Sequence, residues 1–273
     1  ERQTNTQWRP RSAHRQHPTE LRVLHSPPEF AGDGVDDVAV GDLVFGSSDF
    51  ATQPSAGAAD FAIMNLWFPI PAGLDAVHAS VLPMVLQTAG WTLDLMDVKS
   101  GETVLIHGAG GMVGYTAVQI ALRKGARVIA TAGLTFADEL EGFGAVVTPY
   151  GAGMVERVRV RALANGPIDH VVDASLPNTG AIAALIEIAG DPKRVMTISN
   201  HDEARSQGAR VNIDELMAAG GFSSSHFLAD YAALAAAGDF TVPVAKTFPL
   251  DEWRDAAELS LSGAPHGKVV LVP

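Results

Sequence analysis

The chain has 273 residues, 47% of them hydrophobic and 18% charged, proportions that are typical of a globular protein with a sizeable core. It carries 31 acidic and 19 basic side chains, and because an acidic surface repels phosphate backbones, we expect no nucleic acid partner. Cysteine is absent, which excludes disulfides, a thiolate nucleophile and cysteine-ligated zinc. No apolar run approaches the ~20 residues that a membrane helix needs, and the N-terminal segment lacks the apolar core of a secretory signal. These features predict a cytoplasmic protein with no membrane partner.

The start of the chain differs in charge from the remainder. Residues 1–22 contain five arginines and two acidic residues, so that subtraction from the totals of 19 and 31 leaves 14 basic and 29 acidic residues elsewhere. This composition predicts a basic arm over residues 1–28 that is disordered or loosely attached. An arm that binds an anion is the alternative.

From residue 103 onward, short apolar runs rich in β-branched residues alternate with segments of helical spacing. Strands that alternate with helices of this length need crossover connections, which make neighbouring strands parallel. The runs are apolar throughout, as expected where helices cover both faces of a sheet. We therefore predict an α/β fold with a doubly wound parallel sheet of the Rossmann type. Strands are predicted at residues 103–108, 126–132, 145–150, 168–175 and 193–199, and helices at 116–125, 136–144, 154–166, 178–190 and 227–238.

The stretch VLIHGAGGMVGY (104–115) places a glycine cluster between the first of these strands and its helix. In a doubly wound fold this junction is the phosphate-binding turn, and the spacing here is Ala109-x-Gly111-x-x-Gly114. A missing side chain at the second position lets a pyrophosphate reach the backbone, and the third position lets helix and strand pack closely. Backbone N–H groups of residues 111–113 would then bind phosphate at the helix N-terminus. A structural turn without a ligand is the alternative.

The end of the second strand bears on the choice of nucleotide. An NAD site usually has an acidic residue there, which binds the ribose hydroxyls. Here the strand ends in TAGLT (131–135), and the first carboxylate after it belongs to Asp138. This favours NADP, although no lysine or arginine follows either, so Thr131, Thr135, Tyr150 or a basic group from elsewhere would hold the 2′-phosphate. The alternative is that these small residues only form a turn.

The stretch GETVLIHGAGGMVGYTAVQIALRKGARVIATA (101–132) resembles the opening of the cofactor domain in the medium-chain dehydrogenase/reductases, specifically the zinc-free quinone oxidoreductase and enoyl reductase branch. The resemblance covers about residues 29–273. It implies an NADPH-dependent reductase that acts on a conjugated or quinone-like carbonyl of a small molecule and forms a homodimer. Similar segments follow in the family's order at residues 39–46, 82–93, 143–151, 168–175, 193–199 and 248–272.

The resemblance also implies a domain organisation. A reduced β-rich (GroES-like) substrate domain would comprise residues 29–88 and 240–273, and the dinucleotide-binding domain residues 89–239. The N-terminal part is shorter than in the family, so the substrate pocket would be wide open or completed by a partner subunit. Residues 222–226 would be an edge strand that pairs across the dimer, or alternatively a polar loop.

By the same resemblance, Thr88 in the linking helix would face the nicotinamide, which Ala174 and Ser175 would line. Together with the glycine turn and the strand ends, these residues make up the predicted cofactor site. The site comprises Thr88, Ala109, Gly110, Gly111, Met112, Val113, Gly114, Thr131, Ala132, Gly133, Tyr150, Ala174, Ser175, Ser199 and Asn200.

No side chain stands out as a catalytic acid or base. Outside the arm the histidines stand singly and without metal-ligand spacing, so no metal site is predicted. We expect His107, Tyr115 and Asp173 to pack or brace the fold, whereas Lys268 either approaches the cofactor or is a surface lysine. Backbone N–H groups and solvent protons can suffice for the family reaction. The alternative function is that of a nucleotide-binding protein with little or no redox activity, acting as a partner, a sensor or a repurposed biosynthetic enzyme.

Overall fold

A computed structural model describes residues 22–23, 38–49, 62–177, 179–220 and 227–273 of the chain. The described residues up to Met84 and from Phe227 onward belong to one compact unit, the terminal unit. Those from Val85 to Gly220 belong to another, the central unit. The domain limits expected from the sequence stay a prediction.

Both units contain strands and helices, which alternate regularly in the central unit. The strands are β1 (Arg22–Val23), β2 (Val44–Ser48), β3 (Met64–Pro69), β4 (Thr103–His107), β5 (Arg127–Thr131), β6 (Val146–Thr148), β7 (His170–Asp173), β8 (Val195–Thr197), β9 (Arg210–Val211), β10 (Val244–Pro249) and β11 (Lys268–Val272). The helices are α1 (Ala76–Leu95), α2 (Met112–Arg123), α3 (Ala137–Gly142), α4 (Met154–Asn165), α5 (Ile182–Ala189), α6 (His201–Gln207), α7 (Asn212–Ala218), α8 (Phe227–Ala237) and α9 (Trp253–Leu261). Single turns of 3-10 helix precede α3, β8 and α9.

The central unit is built around a six-stranded sheet with the order β6-β5-β4-β7-β8-β9, in which every neighbouring pair is parallel. From β4 the chain first winds outward through β5 and β6, and then continues on the other side of β4 with β7 to β9. This is the strand order of a dinucleotide-binding fold, so the predicted fold class is confirmed. The sequence did not reveal β9, because a strand of two residues has no readable periodicity.

The β4–α2 unit illustrates how the sequence produces this sheet. All five residues of β4 are buried, because helices cover both faces of a doubly wound sheet. Helix α2 begins at Met112, earlier than its spacing predicted, and ends before Gly125 as expected. Gly125 has a φ of +81°, and the N–H groups of Gly125 and Ala126 donate to the carbonyls of Leu122 and Ala121. This Schellman motif stops the helix and returns the chain to β5.

An apolar core holds the strands in register on one face of the sheet. It joins side chains in one row across β5, β4, β7 and β8 to side chains of α4 and α5. Burial of a large aliphatic side chain contributes about 1.5–3 kcal/mol, so the strand ends that carry the site are firmly fixed. This core includes Leu105, Ile129, Met154, Val158, Val171, Ile182, Leu185 and Val195.

The terminal unit contains two small sheets within its described part. Strands β2 and β3 are antiparallel, and β1, β11 and β10 form a parallel sheet in that order. Helix α9 packs against β11 around a small core that includes Phe248 and Leu271. The GroES-like assignment of this unit stays a prediction.

Parts of the chain that the sequence analysis singled out are only partly described. Within the expected basic arm, Arg22–Val23 pair in parallel with residues 270–271 of β11. The rest of the arm and the candidate edge strand at 222–226 lie outside the described residues. No helix of the described ranges is long and apolar enough to cross a bilayer.

Candidate functional site

The turn between β4 and α2 lies at the carboxyl edge of the sheet, beside the point where the strand order reverses. Gly111 is the N-cap of α2, and no side chain caps the helix. The N–H groups of Met112, Val113 and Gly114 have no carbonyl partner within α2, because they belong to its first turn. Together with the positive end of the helix dipole, these donors favour an anion at this position.

The glycines of this turn serve two different purposes. A Cβ atom at Gly108 would lie 2.6 Å from the backbone nitrogen of Ser175, and one at Gly114 would lie 2.5 Å from the carbonyl oxygen of Gly108. The protein's own backbone therefore requires glycine at both positions. At Gly110 and Gly111, however, the nearest protein atoms would be 4.0 and 3.6 Å away. A Cβ atom at either position would make only ordinary van der Waals contacts with the described residues, so the protein's own packing does not require glycine there.

The first predicted contacts beside the turn brace it from within. Ala109 is fully buried, and its N–H donates to the carbonyl of Thr131 at 2.9 Å. The hydroxyl of Thr131 accepts from the N–H of Gly108 at 3.2 Å and lies 2.7 Å from Nδ1 of His107. Ala132 is also buried, and its N–H donates to the carbonyl of Thr148 at 3.2 Å. Direct contacts of these residues with a ligand stay a prediction.

Gly133 and Tyr150 meet at the ends of β5 and β6. A Cβ atom at Gly133 would lie 3.8 Å from Cε1 and 3.9 Å from the hydroxyl oxygen of Tyr150. Tyr150 is 60% exposed. The structure therefore brings together two residues of the predicted cofactor site, of which Tyr150 was a candidate for holding the 2′-phosphate.

Arg157, in the first turn of α4, holds the loop that carries Tyr150. Its guanidinium donates to the backbone carbonyls of Pro149 at 3.0 Å, Tyr150 at 3.2 Å and Ala152 at 2.7 Å. No carboxylate within the described ranges pairs with it, so a positive charge stands uncompensated beside this loop. The sequence left open a basic group from elsewhere but did not identify Arg157, which reaches this loop from the helix that follows β6.

On the other side of the strand reversal, the loops after β7 and β8 come together. The hydroxyl of Ser199 donates to the carbonyl of Ser175 at 2.6 Å, and the side-chain amide of Asn200 donates to the hydroxyl of Ser175 at 3.1 Å. The N–H of Ala174 donates to the carbonyl of His107 at 2.8 Å, which extends the pairing of β7 with β4. These predicted residues thus form one cluster beside the glycine turn.

A row of polar side chains crosses the sheet beneath these loops. Thr148, Thr131, His107, Asp173 and Thr197 are in register on five adjacent strands. Residues in register on parallel strands point to the same face, and these five follow the apolar row of the core by two positions. All five side chains are buried. Sequence analysis could not find this row, because it depends on the register between strands and not on a spacing within one segment.

Burial perturbs several of the titratable side chains. It lowers the pKa of His107 below its ordinary value of 6.5, with the Asp173 carboxylate acting weakly in the opposite direction, so the imidazole is neutral at pH 7. It raises the pKa of Tyr115, helped by Glu139, which excludes that phenol as an acid near neutral pH. In the terminal unit, burial lowers the pKa of Lys268 to about 8. Lys268 is only 5% exposed, so of its two predicted alternatives the surface lysine was wrong, and its approach to the cofactor stays a prediction.

Two further expectations concern Thr88 and a metal site. Thr88 lies in α1, where its carbonyl accepts a hydrogen bond from the hydroxyl of Thr92 at 2.7 Å; its contact with a nicotinamide stays a prediction. No group of three or more His, Cys, Asp or Glu side chains that could hold a metal ion occurs in the part of the chain that the structure describes.

The fold and the sequence both match known dehydrogenases. The profile of a family described as zinc-binding dehydrogenase matches residues 142–271. The crystal structure of an alcohol dehydrogenase superfamily protein from Novosphingobium aromaticivorans superposes with a TM-score of 0.68 at 27% identity, over 86% of this chain and 76% of that one.

Two curated relatives extend this comparison. Spectinabilin polyketide synthase system protein NorB from Streptomyces orinoci is 29% identical over 246 residues, which are 88% of this chain and 11% of that protein. Quinone oxidoreductase from Rattus norvegicus is 40% identical over 108 residues, 38% of this chain and 32% of that enzyme. The chain thus spans about a tenth of the first relative and about a third of the second. Together with the strand order and the glycine turn, these matches support membership of the chain in the medium-chain dehydrogenase/reductase superfamily.

Proposed function

We propose that the chain is an NADPH-dependent reductase that transfers a hydride, without a metal, to a conjugated carbonyl, an enone or a quinone-like small molecule. The observation that carries this proposal is the open backbone at Gly110 and Gly111, at the N-terminus of α2 and beside the strand reversal. Because the protein's own packing does not require glycine there, a ligand's pyrophosphate accounts for glycine at both positions. The similarity to quinone oxidoreductase supports the class of acceptor.

The two halves of the dinucleotide would bind on opposite sides of the strand reversal, in the crevice at the carboxyl edge of the sheet. The pyrophosphate would lie on the N–H groups of Met112, Val113 and Gly114, since the N–H of Gly111 already donates to the carbonyl of Gly108 at 3.1 Å. The adenosine half would lie beside Gly133 and Tyr150. The nicotinamide half would lie on the β7–β8 side, against Ala174 and the cluster of residues 199–200 with Ser175. This division follows from the two mononucleotide-binding halves of a doubly wound sheet.

The preference for NADPH rests on the charges near the adenosine half. No carboxylate follows β5 until Asp138, so nothing directly after that strand would repel a 2′-phosphate. The uncompensated guanidinium of Arg157 favours an anion close to Tyr150. The phenol of Tyr150 is a suitable hydrogen-bond donor to such a phosphate.

The chemistry needs little from the side chains. When bound, the cofactor supplies the hydride. The protein's part is to hold the donor carbon about 3–3.5 Å from the acceptor carbon and to exclude water. The matching family is described as zinc-binding, but the described residues contain no group of three or more side chains that could hold a metal ion. Hydride transfer to a conjugated carbon does not require zinc. A solvent proton can complete the reduction.

The long match to a polyketide synthase protein favours one version of this reaction. NorB is similar over 88% of this chain, far more than the rat enzyme. Polyketide chains are carried as thioesters, so the conjugated acceptor would then be an α,β-unsaturated thioester. The chain would act as a biosynthetic reductase on such a substrate.

Calorimetric titration with NADPH and then NADH tests the first step. We expect NADPH to bind at least about tenfold more tightly, which is a difference of about 1.4 kcal/mol. Binding of neither would refute the proposal and favour a nucleotide-free partner role, and tighter binding of NADH would refute the cofactor choice. For a valine variant of the glycine turn, the matched control is Gly142→Val, because a Cβ atom at Gly142 meets nothing within 4 Å.

Consumption of NADPH, measured at its absorbance band, tests the second step. The acceptors are a quinone, a simple enone and a crotonyl thioester of N-acetylcysteamine, each with and without a zinc chelator. Activity that survives the chelator supports metal-free transfer, and the preferred acceptor separates a quinone reductase from a thioester reductase. Tight NADPH binding with no turnover of any acceptor would instead favour a sensor. The homodimer and the cytoplasmic location stay predictions; light scattering of the purified chain tests the former.

A further inference from the structure

The buried carboxylate of Asp173 ties together the two loops on the nicotinamide side of the crevice. We propose that Asp173 is a positioning residue, which acts through Ser175 and Asn200 to set where the nicotinamide lies relative to the acceptor. This inference rests on the proposed function, since it presumes that a dinucleotide binds here. It goes further by assigning the reaction geometry to a side chain that is 0% exposed.

Both oxygens of this carboxylate are fully used. Oδ1 accepts from the backbone N–H of Ser175 at 3.1 Å and from its hydroxyl at 2.6 Å. Oδ2 accepts from the hydroxyl of Thr197 and from the side-chain amide of Asn200, both at 2.8 Å. A carboxylate has about four acceptor positions, and here donors from the β7 loop and from the end of β8 fill all four.

Further hydrogen bonds link the side chains around Asp173 to the backbone of both loops. The hydroxyl of Thr197, which donates to Asp173, accepts from the N–H groups of Ser199 at 3.2 Å and Asn200 at 3.0 Å. The hydroxyl of Ser199 then donates to the carbonyl of Ser175 at 2.6 Å. The two loops are therefore joined through both side chains and backbone, so neither can shift without breaking bonds to the other.

The charge makes the arrangement sensitive to any change at this position. A buried carboxylate is costly unless hydrogen bonds satisfy it. No lysine or arginine within the described ranges bonds to Asp173, and the adjacent His107 is neutral at pH 7, so neutral donors alone stabilise the charge. Charge-assisted bonds of this kind are short and directional. Their geometry fixes where the donors, and hence the loops, must stand.

This precision matters because hydride transfer depends steeply on distance. A misplacement of about 1 Å can lower the rate about 100-fold, even when the change lies away from the reacting atoms. Ser175 and Asn200 belong to the cluster assigned to the nicotinamide half. A change at Asp173 is therefore expected to affect the rate of the reaction more than the affinity for the adenosine half.

The competing account is that Asp173 only braces the fold. The same strand offers a matched control, because Asp169 precedes β7 at its opposite, amino end. Its carboxylate accepts from the backbone N–H of Thr103 at 2.8 Å, a bond between β4 and β7 that lies far from the crevice along the strands. Asp173→Asn and Asp169→Asn thus make the same chemical change at the two ends of one strand.

The test compares two ligands and the rate. Adenosine 2′,5′-bisphosphate carries only the adenosine half, whereas NADPH carries both halves. Asp173→Asn converts an oxygen that accepts two bonds into an NH2 donor. We expect its affinity for the bisphosphate to stay within about twofold, its kcat with the preferred acceptor to fall at least about tenfold, and its KM for NADPH to change far less. Asp169→Asn should lower the thermal midpoint but keep kcat within about twofold.

Several results would overturn the proposal. If Asp173→Asn loses affinity for both ligands to the same extent and has a lower thermal midpoint, Asp173 only stabilises the fold. If its kcat is unchanged, Asp173 does not position the nicotinamide. If Asp173→Asn does not fold, Thr197→Val replaces it. This variant removes the bond from the hydroxyl to the carboxylate together with the bonds that the hydroxyl accepts from the N–H groups of Ser199 and Asn200, so a fall in kcat with bisphosphate affinity intact is expected. A wild-type chain that binds no dinucleotide refutes the proposed function itself, and this is visible before any variant is made.

If the wild-type chain binds NADPH but turns over none of the acceptors, the fluorescence of bound NADPH gives the readout. The emission of the dihydronicotinamide reports the surroundings of that ring alone. A change in this emission for Asp173→Asn but not for Asp169→Asn, at equal bisphosphate affinity, would support positioning. An emission of Asp173→Asn that equals that of the wild-type chain, or an equal change in both variants, would overturn it.

Discussion

The Nδ1 atom of His107 lies 2.7 Å from the hydroxyl oxygen of Thr131 on the neighbouring strand, and both side chains are buried. Burial lowers the pKa of His107 below 6.5, so the unfolded chain binds a proton that the folded chain does not. Stability therefore falls as the pH drops below about 6.5, down to the lowered pKa of the folded state. We expect the free energy of unfolding to fall between about pH 7.5 and pH 5.5, and His107→Gln to reduce that slope.

Denaturant unfolding of the two chains at matched pH values measures this difference. The carboxylates with lowered pKa values, Asp75, Asp97 and Asp214, start from 3.8 and do not interfere in this range. The remaining histidines contribute equally to both chains and cancel in the comparison. An identical pH slope in His107→Gln would mean that this imidazole is solvated after all.

Much of the central unit could be predicted from single segments. The apolar runs at β4 and β5, with helical spacing and a stop glycine between them, define a crossover unit before any tertiary contact is known. Periodicity of this kind is local, so five strands and the glycine turn were found. Strand β9 was missed because its two residues, Arg210–Val211, are stabilised by pairing with β8 and not by a pattern of their own.

The site was less predictable, because its organisation lies between segments. The polar row from Thr148 to Thr197 exists only once five strands are in register. The clamp of Arg157 on the carbonyl of Tyr150 depends on how the loop after β6 folds back on α4. Sequence spacing gave the residue types at the crevice, but not which of them contact one another.

Gly111→Val tests the phosphate turn directly. Gly111 has φ −82° and ψ 150°, which valine also adopts, and its Cβ atom would lie no closer than 3.6 Å to other protein atoms. The variant should therefore fold normally while its side chain fills the space for the pyrophosphate. We expect the affinity for NADPH, measured by calorimetry, to fall at least about tenfold, with Gly142→Val as the matched control. Unchanged affinity would mean that the turn binds no phosphate.

Arg157→Gln tests the origin of the cofactor preference. The change removes the positive charge and the bonds from the guanidinium to the loop that carries Tyr150. Because NADH lacks the 2′-phosphate, we expect the ratio of NADPH to NADH affinity to fall about tenfold. Tyr150→Phe, which removes only the hydroxyl, should lower the ratio less.

Arg161→Gln is the control for this measurement, since Arg161 is an exposed arginine one turn further along α4. It changes the net charge equally and leaves the Tyr150 loop intact. An equal loss of NADPH and NADH affinity in Arg157→Gln would contradict the assignment of this region to the 2′-phosphate. An equal change of the ratio in both arginine variants would reduce the effect to net charge.

The terminal unit contains a buried lysine that changes the free energy of unfolding at alkaline pH, whereas His107 changes it at acidic pH. Lys268 on β11 is 5% exposed, and burial lowers its pKa from 10.5 to about 8. Between these two values the unfolded chain binds more protons than the folded chain, so stability rises with pH, by up to about 3 kcal/mol.

Lys268→Met removes the charge and should abolish this rise. Lys246→Met, on the paired strand β10, changes an exposed lysine and should retain it. Unfolding measured from about pH 7.5 to pH 10 distinguishes them, and a rise that persists in Lys268→Met would show that another group causes it.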